Sequence, residues 1–329
     1  MTAMRALVCS SLDGFDGVAV GELDAPELRP GAVRISVGAA AVNFPDLLII
    51  RGMYQDRPDL PFAPGAEVAG DVVEVADDVG GVEPGDRVYA WVGHGGFAEE
   101  VVADAAAVVH VPEDMPDEIA TTLPLAYGTA YHALIDRGEL REGQSLLVLG
   151  AAGGVGLAAT EVGAAVGARV IGAVSSEEKE DAVRDAGADD VVRYDRTPLR
   201  DALRQLAPGG VDVVFDPVGG DATEAALRST AYGGRLLIVG FASGDIPAIP
   251  ANLPLLKSCA VVGVFWGRFA RTEPDRNRRN LDTLGRWWLD GRIDPLVSRT
   301  YTLDDAVDAL RLMDGRGAVG KLVILPRGG

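Results

Sequence analysis

The sequence predicts an α/β chain in which a doubly wound, six-stranded parallel sheet is joined to a β-rich domain. Two observations carry this. Residues 145–156, Ser-Leu-Leu-Val-Leu-Gly-Ala-Ala-Gly-Gly-Val-Gly, are an apolar run that breaks into a glycine-rich loop, with a helix-compatible stretch directly behind it. From about Ala120 onward, strand-length apolar runs alternate with helical periodicity, whereas residues 4–112 read as short alternating runs punctuated by turns.

Taken in order, the N-terminal part contains alternating runs such as 68–75 and 88–92, separated by Pro30-Gly31 and Pro84-Gly85 turns. Six strands are then expected at 146–149, 169–174, 191–194, 211–216, 236–239 and 260–265. Helices fall between them, for example at 157–166, 177–185 (closed by Gly187) and 223–229. Beyond Gly267 the βαβ alternation stops. Amphipathic helices at about 280–290 and 303–313 and a last strand at 322–325 are expected to rejoin the N-terminal domain, leaving the sheet as an insertion. The limits drawn on this basis are 1–122 for the β-rich domain, 123–266 for the nucleotide-binding sheet and 267–329 for the returning segment.

Composition narrows the function classes. At 329 residues and 48% hydrophobic content, the chain has material for a sizeable core in each domain. Acidic residues number 49 against 30 basic, a formal net charge of −19. That field repels nucleic acid and anionic membrane and favours solubility. No apolar run approaches the roughly 20 residues that span a bilayer. The N-terminal residues read as a first strand and lack a signal-peptide layout. Two cysteines, Cys9 and Cys259, make no disulfide framework, so a cytoplasmic setting is expected. The one basic cluster, Arg268, Arg271, Arg276, Arg278 and Arg279, is either a solvated face or a grip on a phosphate-bearing substrate.

The glycine loop specifies a dinucleotide. Gly153 would let the backbone approach the pyrophosphate, Gly154 and Gly156 would let helix and strand pack closely, and the helix N-terminus would face the negative charge. Ala151 occupies the usual first glycine's place. An NAD-preferring site needs a carboxylate at the end of the second strand, about 20 residues on. Ser175 and Ser176 stand there instead, with Lys179 four residues beyond Ser175. Hydroxyls and a cation suit a 2′-phosphate, so NADPH (NADP) is the expected cofactor. Glu177 and Glu178 run against this, but a helix N-terminus accounts for acids at that place.

Metal chemistry is not expected. Zinc in a dehydrogenase needs Cys, His or carboxylate ligands around an open position. His94, His110 and His132 are scattered, and neither cysteine has a C-x-x-C or His neighbour. Hydride transfer without a Lewis acid suits conjugated acceptors, namely quinones, enones and enoyl thioesters, whose delocalisation spreads the arriving charge.

Asn43-Phe-Pro-Asp46, Arg51-Gly-Met-Tyr54 and the run 60–70, Leu-Pro-Phe-Ala-Pro-Gly-Ala-Glu-Val-Ala-Gly, resemble the medium-chain dehydrogenase/reductase superfamily, and within it the zinc-free quinone oxidoreductase branch. The likeness continues through residues 82–88, Tyr127-Gly-Thr-Ala130, the 150–156 loop, Asp216-Pro-Val-Gly219, Gly233-Gly-Arg235 and Gly320-Lys-Leu-Val323. In zinc-bearing branches a cysteine and two further ligands stand where this chain has Asn43, Ala66 and Leu125. The resemblance implies a GroES-like β-barrel catalytic domain with a Rossmann domain inserted, and nicotinamide held in a cleft between them. It further implies that Asn43 and Thr129 touch the nicotinamide end, that Gly154 and Val155 line the pyrophosphate, and that Ser176, Lys179 and Tyr194 surround the 2′-phosphate. Phe241, Phe265 and Trp266 would close over the cofactor, and Lys321 would approach it. Asp46 reads as a helix-capping residue.

Tyr54 matches a catalytic tyrosine of the related zinc-free enoyl-thioester reductases. A phenol there would hydrogen-bond the acceptor's carbonyl oxygen as the enolate forms, with Asn43 as a second donor; the alternative is a loop tyrosine lining the cleft. The leading expectation is therefore a zinc-independent NADPH-dependent reductase of a quinone or α,β-unsaturated carbonyl. The rivals are an enoyl- or acryloyl-thioester reductase and, from another class, a nucleotide-binding structural or RNA-binding relative without turnover. By the resemblance, the apolar residues 260–265 lie at the sheet edge, where two such sheets can pair into a homodimer; the alternative is an ordinary internal strand.

Overall fold

The computed structural model describes residues 3–327. The chain opens with strands β1 (Ala3–Cys9) and β2 (Val18–Asp24), paired antiparallel. Strand β3 (Ala32–Ala41) follows, then helix α1 (Phe44–Ile49) and strands β4 (Glu67–Val75), β5 (Arg87–Trp91), β6 (Glu100–Asp104) and β7 (Val108–His110). In β3, Val33, Ile35 and Val37 are buried while Arg34 and Ser36 are only half-buried, the period of two that turns alternate residues to one core. Helix α2 (Asp117–Ala120) then leads into two π-type turns, Leu123–Tyr127 and His132–Arg137, on either side of α3 (Gly128–Tyr131).

The parallel sheet alternates strictly: β8 (Ser145–Leu149), α4 (Gly154–Val166), β9 (Arg169–Val174), α5 (Glu180–Asp185), β10 (Asp190–Arg193), α6 (Leu199–Leu206), β11 (Val211–Asp216), α7 (Gly220–Ser229), β12 (Thr230–Ile238), α8 (Asn252–Lys257), β13 (Ala260–Gly263) and α9 (Trp266–Thr272). The strand order is β10-β9-β8-β11-β12-β13, with every pair parallel. Strands β8, β9 and β11 are buried almost throughout because helices cover both faces, which is why they read as continuous apolar runs. The order reverses between β8 and β11, and in open α/β sheets ligands bind at the carboxyl ends of the strands flanking such a reversal.

The remainder comprises α10 (Pro274–Leu289), β14 (Val297–Thr302), α11 (Ala306–Asp314) and β15 (Lys321–Leu325). Strand β15 inserts between β14 and β3, so the C-terminal segment completes the sheet begun at the N-terminus, in the order β14-β15-β3-β4-β5-β7, with β6 also on β3. Two compact units result. The β-rich unit contains residues 1–125, 272–286 and 295–329; the sheet unit contains residues 126–271 and 287–294. Among the described residues, no helix is long and apolar enough to cross a membrane.

Several element limits differ from those expected. Strand β12 begins at Thr230, not 236, because Thr230 pairs with Val211 before a register shift, with Gly233 at φ +72°, carries the strand on to Arg235. Strand β13 stops at Gly263, short of 265, where its pairing with Ile238 ends. Helix α10 starts at Pro274 rather than about 280. Its first turns, Pro-Asp-Arg-Asn-Arg-Arg, hide the apolar period, while Asn277, Asn280, Leu281 and Leu284 mark one continuous buried face.

Candidate functional site

The strand-to-helix turn after β8 is built from glycines with different jobs. Gly150 carries the left-handed backbone, φ +58°, so Ala151 beside it carries a side chain without that strain. A Cβ on Gly156 would fall 2.2 Å from the Gly150 carbonyl oxygen and 2.9 Å from Ala151 backbone atoms. Only hydrogen lets α4 pack this close. A Cβ on Gly153 would meet nothing nearer than the same oxygen at 3.6 Å, so Gly153 leaves an open approach to the helix N-terminus, where Gly154 and Val155 form the first turn. Gly163 is a further packing glycine that sequence reasoning missed: a Cβ there would lie 2.5 Å from Leu146 Cδ2.

At the end of β9 the structure assembles the expected polar group. Lys179 Nζ lies 3.4 Å from Ser175 Oγ, and Ser176 opens the turn Glu177–Lys179 with extended backbone. Tyr194 follows directly on β10, its N–H donating to Val174 O at 3.2 Å, and its ring is partly exposed. Ser175, Ser176, Lys179 and Tyr194 therefore come from two adjacent strand ends. Two arginines that sequence reasoning missed stand with them. Glu177 Oε2 accepts from Arg193 at 3.1 Å and from Arg196 at 2.8 Å, so Glu177 is ion-paired as well as placed at a helix start. They lie 16 and 19 residues from Glu177, and only the β9–β10 pairing brings them near it.

The neighbouring strand ends shape the rest of this rim. Asp216 is buried and accepts from the N–H groups of Val218 and Gly219, both at 2.9 Å, and from Thr223 Oγ1 at 2.5 Å. These bonds fix the turn over which Phe241 packs: a Cβ on Gly219 would come within 3.0 Å of the Phe241 ring. Phe265 is exposed, whereas Trp266 is buried with its indole against Gly128, next to half-buried Thr129. Beneath α3, Tyr127 donates to Glu161 at 2.8 Å and the Asp294 N–H donates to the same oxygen at 2.9 Å. Burial pushes the Glu161 carboxyl up to about 7.

In the β-rich unit Asn43 and Leu125 meet at one carboxylate, with Ala66 next to it in the chain. Asn43 Nδ2 donates to Glu67 Oε1 at 2.9 Å, the Leu125 N–H donates to Glu67 Oε2 at 2.7 Å, and Ala66 precedes Glu67 in the chain. Lys321 completes the group. Its Nζ lies 2.9 Å from Glu67 Oε1, 2.6 Å from Asn43 Oδ1 and 3.2 Å from Val42 O. An ammonium has three donors, and all three are taken. Both Asn43 amide hydrogens are likewise used, the second on Ala41 O at 3.1 Å. Lys321 and Glu67 are 3% and 0% exposed, so this is a fully desolvated ion pair. Asp46 caps α1 as expected, accepting from the Asn43 N–H at 2.7 Å and from the Gly65 N–H at 3.2 Å, and burial raises its carboxyl to about 7. Tyr54, half-buried, packs against the unit's core shortly after α1.

The histidines are dispersed. His110 meets Asp86 at 3.1 Å, His132 meets Asp136 at 2.8 Å, and His94 sits edge-on to Phe62. Among the described residues, no group of three or more His, Cys, Asp or Glu side chains is arranged to hold a metal ion.

Comparison with known proteins identifies the two units. Residues 29–113 match the alcohol dehydrogenase GroES-like domain and residues 154–281 match the zinc-binding dehydrogenase domain. The chain is 38% identical to a quinone oxidoreductase-like protein 2 homolog of Nematostella vectensis, over 97% of this chain and 88% of that one. It is 38% identical to quinone oxidoreductase-like protein 2 of Bos taurus, over 97% and 92%. A mycobacterial protein solved in complex with NADPH superimposes with a TM-score of 0.92 at 31% identity, covering 98% of this chain and 100% of that one. With a six-stranded Rossmann sheet inserted into a GroES-like domain and relatives of this similarity, the chain belongs to the quinone oxidoreductase branch of the medium-chain dehydrogenase/reductase superfamily.

Proposed function

We propose that this oxidoreductase is a zinc-independent, NADPH-dependent reductase whose acceptor is a quinone or an α,β-unsaturated carbonyl. The observation that carries the cofactor choice is the end of β9, where Ser175, Ser176 and Lys179 replace the carboxylate that would favour NADH. The open approach at Gly153 and the packed Gly156 fit a pyrophosphate at the start of α4. When bound, NADPH supplies the hydride. The chain's own residues bind and orient: Gly154 and Val155 at the pyrophosphate, Ser176, Lys179 and Tyr194 at the 2′-phosphate, and Thr129, Phe241, Phe265 and Trp266 toward the ring end.

The role of Asn43 and Lys321 follows from their hydrogen bonds. Each has every N–H committed inside the β-rich unit, so neither has a donor to spare for cofactor or acceptor. We assign them to fixing the start of α1, from which the chain runs to Tyr54. Tyr54 then has the acid's part: its phenol hydrogen-bonds the acceptor oxygen and stabilises the charge that develops there. Replacing Tyr54 by Phe is expected to lower kcat about a hundredfold at unchanged NADPH affinity; unchanged turnover would remove the role.

The deciding experiment follows NADPH and NADH oxidation across quinones, 2-alkenals, cyclic enones and enoyl thioesters. Quinone or enone turnover with NADPH supports the proposal, and preference for NADH overturns the cofactor assignment. Turnover confined to crotonyl or acryloyl thioesters makes it a thioester reductase. Binding of NADPH without any turnover makes it a non-catalytic relative. Among the described residues, strand β13 pairs only with β12, and Val261, Leu255 and Leu256 are exposed, so we propose a homodimer through this edge, testable by sedimentation of a Val261→Lys variant. The two free cysteines, Cys9 and Cys259, fit a reducing cytoplasm.

A further inference from the structure

The chain leaving β9 (Ser175, Ser176, Glu177) runs beside the chain leaving β10 (Tyr194, Asp195, Arg196), because Arg193 lies opposite Val174 in the parallel register. Two guanidiniums reach the same carboxylate oxygen of Glu177 from the β10 side, and they are held very differently. The Arg193 side chain is 13% exposed and is gripped by three acids: Asp195 at 2.9 Å through both Nε and Nη2, Glu180 at 3.2 Å and Glu177 at 3.1 Å. It is a strut between strand and helix. The Arg196 side chain is 66% exposed, and among the described residues its one ion-pair partner is Glu177, itself 72% exposed.

An exposed carboxylate–guanidinium pair is weakly held because water screens it and both side chains are mobile. A phosphate dianion is a stronger partner for a planar guanidinium, which meets two of its oxygens at once. Glu177 also has somewhere to stay when Arg196 leaves, since Arg193 holds the same oxygen. On the β9 side Lys179 Nζ already lies 3.4 Å from Ser175 Oγ, so a phosphate between the two strand ends would meet a cation from each.

We propose that Arg196 is a further specificity residue of the cofactor site, exchanging Glu177 for the 2′-phosphate of NADPH, and that Glu177 is the opposing charge which limits how strongly that phosphate is preferred. The proposal rests on the NADPH reading above. It makes cofactor choice a competition between two anions for one guanidinium. A cofactor without the 2′-phosphate leaves the Arg196–Glu177 pair in place and is indifferent to it.

The test needs no acceptor. Calorimetric titration of the full chain with NADPH, NADH and adenosine 2′,5′-bisphosphate compares wild type with Arg196→Gln and Glu177→Gln, and unfolding midpoints check that all three are folded. Arg196→Gln is expected to weaken NADPH and the bisphosphate about tenfold while NADH stays within about twofold, and to flatten the salt dependence of NADPH binding. Glu177→Gln is expected to tighten NADPH about threefold with NADH unchanged. If wild type prefers NADPH and Arg196→Gln leaves the NADPH-to-NADH ratio intact, the inference is overturned and the NADPH reading stands. Equal weakening of both cofactors also overturns it, by making Arg196 a shape-holding residue. If wild type itself binds NADH as tightly as NADPH, the underlying reading falls and takes the inference with it.

Discussion

The turn after β8 and the cluster around Glu67 are two opposite ways of preparing a site. The turn is made of backbone and empty space: its working groups are N–H donors at the start of α4, and its glycines keep side chains out of the way. The cluster is made of buried side chains: an ammonium, a carboxylate and an amide whose hydrogen bonds are taken up by one another and by neighbouring backbone. The first is open to a ligand and tolerant of everything except volume. The second is closed and intolerant of losing any member. In it the chain places its own cation, Lys321, against Glu67 and Asn43.

The largest effect should come from the closed cluster. Lys321→Met strands the Glu67 carboxylate in a dry interior, and chemical denaturation should show a loss of about 3–5 kcal/mol. Glu67→Gln combined with Lys321→Met should recover much of that loss, because no charge is then left unpaired. A double variant no better than the single would mean the pair matters for shape rather than charge. In the open turn, Gly156→Ala forces a Cβ onto backbone and should cost about 1–3 kcal/mol, with cofactor binding lost alongside. Gly153→Ala should keep wild-type stability within about 0.5 kcal/mol yet weaken NADPH about tenfold, since its methyl enters only the approach path. Equal behaviour of the two alanine variants would erase the distinction between packing and cradle.

A separate effect is one of pH, and both units carry it. Burial raises Asp46 from 3.8, and Glu161 from 4.5, to about 7. The folded chain therefore holds protons that the unfolded chain releases. The stability linked to these groups is complete below their unfolded values and is lost as pH rises through about 7. Urea unfolding between pH 5 and 8 should show that decline, and Glu161→Gln should flatten it by up to about one proton equivalent while leaving the Asp46 share intact. An unaltered slope in that variant would show that Glu161 is ionised throughout.

How much of this was readable in advance depended on the reach of each interaction. Asp46 was legible as a cap because its partner is three residues away. Ser175 and Lys179 were legible together because only four residues separate them. Arg196 was invisible beside Glu177, and Lys321 was expected at a cofactor, with nothing in its neighbourhood to suggest Glu67. Helix α10 was started late because its polar first turns bury Asn277 and Asn280, residues that carry no apolar signal.

By itself, the sequence determined the parallel sheet, the nucleotide turn and the returning C-terminal strand. Each is encoded locally, in apolar period, glycine placement and the order of elements along the chain. Tertiary structure alone decided what the polar residues do. Lys321 meets Asn43 and Glu67 across 278 and 254 residues because β15 inserts beside β3, and Arg196 meets Glu177 because β10 pairs with β9 in one particular register. A charge acts on whatever lies within a few ångströms of it, and for Lys321 and Arg196 strand pairing supplies those neighbours.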